Sequence, residues 1–112
     1  MKNTKLIALK ENIERGAILR CKGKYPYEDY VDFMVIESSD EGKLVYSLLV
    51  VSGYKAGLTF VMLPQESIPE RNEGYAINTA WLCANWNKWG YFECLVEDVH
   101  VVYKDPPVDF YD

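Results

Sequence analysis

The chain has one imidazole, His100, and three thiols, Cys21, Cys83 and Cys94. Nucleophilic catalysis needs a base within hydrogen-bond reach of the nucleophile, and no spacing in the sequence brings His100 to a thiol. His100 stands between Val99 and Val101, which a strand would turn to the opposite face, so its expected place is a strand surface. The cysteines are odd in number and lack C-x-x-C spacing, which argues against a disulfide framework or a zinc site and for reduced, buried small side chains. Glu28, Asp29 and Asp32 are close enough to serve as paired acids or metal ligands, yet no second cluster with ligand spacing accompanies them. Solvated charge or a partner contact explains them better. Gly53-Tyr54-Lys55-Ala56-Gly57 offers a cation in a glycine-flanked loop, but a phosphate cradle needs a following helix N-terminus and here a β-prone run follows. No catalytic residue, metal site or cofactor is therefore expected. A hydrolase or transferase built on Cys83 or the acidic cluster is the competing enzymatic reading, which substitution of Cys83 and Asp32 would test.

These residues must be positioned by a framework that the apolar pattern outlines. Leu44 to Val51 and Leu58 to Leu63 are two apolar runs joined by Ser52 to Gly57, a connector with glycines near each end, where positive φ is readily reached. This is a hairpin. Its arms are apolar at nearly every position, which predicts strands covered on both faces over Leu48 to Val51 and Phe60 to Leu63. Before it, YVDFMVIE alternates, with Val31, Phe33 and Val35 on one face and Asp32, Met34 and Ile36 on the other, so three consecutive strands form an antiparallel meander. A further short strand is expected over Ala17 to Cys21. Residues 22–29 (KGKYPYED) and 64–74 (PQESIPERNEG) read as surface loops. Asn78 or Thr79 caps a helix from Ala80 to Trp89 that Gly90 ends as a C′ glycine. Leu82, Trp86 and Trp89 fall on one stripe of that helix, which should cover the sheet, with Trp81 on its flank. Tyr91 to Tyr103 reads as two short strands with a bulge or turn at Glu97-Asp98. The expected fold is α+β: an antiparallel sheet covered by one Trp-rich helix.

Length and composition fit this outline. A chain of 112 residues, 49% hydrophobic and 26% charged, makes one domain that buries roughly two thirds of its unfolded surface. Residues 1–112 are read as that domain, with 104–112 an acidic, Pro-interrupted tail. No apolar run reaches the ~18 residues of a membrane span. Charges interrupt the N-terminal MKNTKLIALKENIERG, so it is not a signal peptide and a cytoplasmic location is expected. The formal net charge of −5 is divided unevenly: residues 1–24 carry seven basic side chains against two acidic, +5, and residues 25–112 five against fifteen, −10. A body this acidic opposes nucleic-acid and membrane binding and favours a basic partner.

The segments VDFMVIE, LLVVSGYKAGLTFVMLPQESIP, WLCANWNKWGY and VEDVHVV, spread over residues 15–103, resemble a family of small bacterial immunity proteins from polymorphic toxin and contact-dependent growth inhibition systems. The SGYKAG hairpin and the WNKWGY helix end are the most specific parts. The resemblance implies a non-enzymatic α+β antitoxin that binds the C-terminal domain of a cognate toxin in the cytosol. Joined to the charge partition, it suggests a basic toxin such as a nuclease, blocked at its active site. Tyr25, Tyr27, Glu28, Asp29 and Asp32 are the candidate contacts, because acidic charges steer a basic partner and tyrosines supply anchor area. Tyr54 and Lys55 at the hairpin tip are the next candidates. The alternative is a small cytosolic interaction or regulatory domain with no toxin partner, which genomic position would separate from the first reading. Neither reading fixes the oligomeric state.

Overall fold

The computed structural model describes residues 3–23, 29–69 and 75–103. The elements are β1 (Asn3–Lys5), β2 (Ile18–Lys22), β3 (Tyr30–Asp40), β4 (Lys43–Val50), β5 (Thr59–Met62), α1 (Thr79–Ala84), α2 (Trp86–Trp89) and β6 (His100–Val102), with 3₁₀ turns at Leu6–Ala8, Gln65–Ser67 and Val96–Asp98. Six strands make one antiparallel sheet in the order β1-β6-β2-β3-β4-β5. The meander is present as the alternation predicts: Phe33 pairs with Val50 and Val35 with Leu48. Those four side chains are buried with Leu19, Tyr46, Leu82 and Trp86 in a single core on one face. The α+β class thus follows from period-two strands whose apolar side meets one helical stripe.

Two expectations about the hairpin fare differently. Its glycines do take the left-handed region, with φ of 70° at Gly53 and 99° at Gly57, and Gly57 N–H donates to Val50 O at 2.7 Å to close the loop. Coverage on both faces holds for most of the first arm but not for the second, however. β5 is an edge strand: Leu58 is 60% exposed, Phe60 38% and Met62 44%. β4, by contrast, is buried at consecutive positions from Val45 to Leu48 and so on both faces, with exposure appearing only at its ends, at Leu44 and Val51. A register shift between Leu48 and Leu49 pairs Val61 with Leu48 and Thr59 with Leu49, which leaves Phe60 as the extra residue of a bulge. The bulge turns its ring onto the core side, 5.0 Å from the Phe33 ring and 6.0 Å from that of Tyr91.

The helix is capped as expected, since the Asn78 side chain accepts from Trp81 N–H. It is not continuous. Asn85 leaves helical geometry (φ −112°, ψ 13°) and its Nδ2 donates to Trp81 O at 2.9 Å, the same carbonyl that accepts from its own backbone N–H. An asparagine that competes for the helical carbonyl divides the segment into α1 and α2. Of the stripe, Leu82 and Trp86 are fully buried while Trp89 is half-buried, its ring 6.4 Å from that of Trp81. Gly90 does follow the last helical residue, but not as a left-handed cap: its φ is −92°. It is there for space, because a Cβ at this position would lie 2.3 Å from the Trp86 indole. One strand, β6, replaces the two expected over residues 91–103. The earlier half turns through Val96–Asp98 instead, and Leu95 is 60% exposed. Residues 104–112, read as a tail, lie outside the described residues.

Candidate functional site

The antiparallel register brings the four described candidate residues, Asp29, Asp32, Tyr54 and Lys55, to one end of the sheet. β3 begins there, β2 ends there, and the β4–β5 loop turns there: Val51 N–H donates to Asp32 O, and Asp32 N–H to Ser52 Oγ, each at 2.9 Å. Asp29 is exposed, and its main-chain oxygen accepts from Gly23 N–H. Tyr54 is 87% exposed at the loop tip, with Lys55 Nζ 5.8 Å from the centre of its ring. Tyr25, Tyr27 and Glu28 fall outside the described residues.

Asp32 occupies a different environment from Asp29. It is nearly buried, and its two carboxylate oxygens accept from Arg20 Nε at 2.9 Å and Nη2 at 2.8 Å, a bidentate pair between adjacent strands. The Tyr30 ring lies under the same guanidinium, 4.5 Å from Cζ to centroid. The hydrogen bond that Arg20 donates to Asp32 raises the Arg20 pKa above its already high value against the opposing effect of burial. Asp32 therefore reaches the surface through Arg20 and Tyr30, a planar cation stacked on a phenol ring. Arg20 was missed as a site residue. The signal was a charged residue inside the apolar run of β2, matched by Asp32 inside that of β3.

The other chemistry-bearing groups are held in unreactive settings. Burial pushes the thiols of Cys21, Cys83 and Cys94 upward, away from the thiolate that a nucleophile needs. His100 projects from β6 opposite Arg20, between the fully buried Val99 and Val101. Among the described residues no three His, Cys, Asp or Glu side chains gather as a metal site. A cavity of about 570 Å³ lies between Glu14–Ala17 and the Met34–Glu37 stretch of β3. A second, of about 590 Å³, separates Lys22 and Gly23 from Phe92–Leu95. The only thiol lining either is Cys94, whose Sγ donates to Leu95 O.

What the arrangement provides is surface: the exposed Asp29, Tyr30 and Tyr54 beside a braced Arg20–Asp32–Tyr30 unit at one end of the sheet. A family model described as Immunity protein 45 matches residues 7–101, and the chain belongs to that family. Its role is accordingly that of an immunity protein, whose partner is a cognate toxin protein. No curated protein and no solved structure matches the chain. Among the described residues no helix is long and apolar enough to cross a membrane.

Proposed function

We propose that this immunity protein acts in the bacterial cytoplasm as a stoichiometric inhibitor, binding the C-terminal domain of a cognate polymorphic or contact-dependent inhibition toxin and covering its active site without performing chemistry itself. The observation that carries the reading is the family match over residues 7–101. Supporting a basic toxin, a nuclease in particular, is the −10 balance of residues 25–112, since opposite charge accelerates encounter and suppresses wrong partners. Asp29, Tyr54 and Lys55 are proposed contacts at the end of the sheet, with Tyr25, Tyr27 and Glu28 beside them in sequence. Asp32 contributes by fixing Arg20 and Tyr30.

The direct test is co-expression with the toxin domain encoded upstream, followed by binding kinetics on the purified pair at low and high salt. Protection from the toxin, with an association rate that falls as salt rises, is expected. Asp29→Lys should slow association and flatten that salt dependence, while Tyr54→Ala should mainly speed dissociation. A chain that neither protects cells nor binds the toxin would refute the proposal.

A further inference from the structure

Apolar side chains scattered singly over a surface need no explanation, whereas a contiguous group of them marks a place of contact. Phe92 is 73% exposed and Leu95 60%, both in the turn between α2 and β6. Ring contacts join them to the core. The buried Phe33 ring lies 5.0 Å from that of Phe60 and 5.5 Å from that of Tyr91, and the Tyr91 ring lies 6.5 Å from that of Phe92. A chain of aromatic rings thus runs from the core to the surface. Phe92 and Leu95 in turn line the cavity of about 590 Å³ together with Lys22, Gly23, Glu93 and Asp98. Phe92 belongs to both the ring chain and the cavity, so the two make one surface.

This surface is fixed before any partner arrives. The buried Trp86 donates from Nε1 to Cys94 O at 2.8 Å, Cys94 N–H donates to Tyr91 O at 3.0 Å, and the Tyr91 hydroxyl donates to Glu93 Oε2 at 2.8 Å. Residues 91–94 are therefore a turn pinned to the core, with Phe92 inside it. An apolar side chain on a pinned turn loses little conformational freedom on binding, which is what an anchor requires.

Charge at the cavity selects the occupant. Glu93 and Asp98 line it against Lys22, and Gly23 N–H is bound to the main-chain oxygen of the exposed Asp29. Three carboxylates and one ammonium leave a balance of −2 around the two apolar side chains. A second copy seated here would bring another acidic rim to the first. A surface with an apolar group beside lysine or arginine complements it.

We infer that the cognate toxin docks on this surface, with Phe92 and Leu95 as apolar anchors and with Asp29, Glu93 and Asp98 facing a basic side chain of the toxin at the cavity. The inference rests on the toxin-binding reading above and extends its contacts from Asp29, past Gly23, to the turn between α2 and β6. Two desolvated anchors inside a charged rim follow the usual interface pattern, in which a few side chains carry most of the affinity.

The test is the double variant Phe92→Lys, Leu95→Lys in the intact chain, with the milder Phe92→Ser, Leu95→Ser and the charge reversal Glu93→Lys, Asp98→Lys alongside. Tyr75→Lys, at an exposed site beside Glu37 and Tyr46 toward the β3–β4 turn, is the control. Titration calorimetry against the purified toxin domain should show affinity reduced about thirtyfold or more in the first variant and less in the serine variant, with Tyr75→Lys unchanged. The charge reversal should slow association at low salt and lose that effect at high salt. Thermal melts should show every variant folded at the assay temperature. Wild-type affinity in all three double variants, with the wild-type chain binding normally, would overturn the location while leaving the function intact. So would a wild-type dimer that Phe92→Ser, Leu95→Ser dissolves without loss of toxin affinity, because the surface would then belong to a second copy. Absence of toxin binding by the wild-type chain would overturn the function and this inference together.

Discussion

Replacing Gly90 by alanine adds one methyl group, and the structure says where it goes. The new Cβ would lie 2.3, 2.4 and 2.7 Å from three atoms of the Trp86 indole, distances that non-bonded carbon atoms do not adopt. φ at this residue is −92°, so backbone preference adds nothing and the whole effect is steric. Trp86 has little room to yield: it is 1% exposed and its Nε1 donates to Cys94 O at 2.8 Å. Forcing a methylene into a packed core costs about 1 to 3 kcal/mol, and expelling the indole would approach the roughly 3 to 5 kcal/mol of deleting a buried aromatic. For a domain of this size, 1 kcal/mol is about 4 °C of melting temperature. Gly90→Ala should therefore lower the midpoint by about 4 to 12 °C in a calorimetric or circular-dichroism melt. A double-mutant cycle isolates the cause. In a Trp86→Phe background the same alanine should cost visibly less, because the smaller ring withdraws from the contact. An alanine that melts with wild type, or one whose cost is the same beside phenylalanine, would refute the steric account of this glycine.

At the hairpin, Gly53→Val and Gly57→Val should each destabilise by about 1 to 3 kcal/mol in urea denaturation, the strain of a β-branched residue at positive φ, whereas Lys55→Ala should leave the midpoint unchanged. Arg20→Ala should cost roughly 1 to 3 kcal/mol in the same assay, because the nearly buried Asp32 loses both donors, and Arg20→Lys should recover only part of it by restoring charge without the bidentate geometry. Stability should also fall at alkaline pH. Burial raises the thiols of Cys21 and Cys94 above the ordinary value of 9.0, so the unfolded chain gives up these protons first. The stabilising contribution is then complete below pH 9 and is lost as pH rises toward the folded-state values. Denaturation midpoints at pH 7 and pH 10 measure it, and a Cys21→Ala, Cys94→Ala variant should show a flatter dependence.

Much of the fold was legible because it is local. Period-two alternation over Val31–Ile36 gave the faces of β3, the glycine pair gave the hairpin, and Asn78 gave the start of the helix. Other features depend on neighbours far along the chain. The break at Asn85 reflects a side-chain hydrogen bond that helical periodicity does not register, and Gly90 answers to the shape of Trp86 instead of to its own φ. The apolar run at Phe60–Leu63 resembled a central strand because a residue facing an open side and one facing a covered side have the same composition when both are apolar. The candidate site divides in the same way. Asp29 and Asp32 are three residues apart in sequence and look alike, but pairing of β2 with β3 places Arg20 against only one of them. Sequence proximity groups charges, while sheet register decides which are engaged.

The order β1-β6-β2-β3-β4-β5 has a consequence for how the molecule is made. Four strands from β2 to β5 lie beside their neighbours in sequence and can pair as they leave the ribosome, at roughly 5 to 20 residues per second. The first strand cannot. β1 pairs only with β6, in a register that joins Asn3 to Val102 and Lys5 to His100, so almost the entire chain must be synthesised before its opening residues have a partner. Contacts this distant in sequence slow folding through the entropy of loop closure. The β2–β5 meander can therefore pair before β6 has been made, whereas the β1–β6 edge needs residues nearly a hundred positions apart.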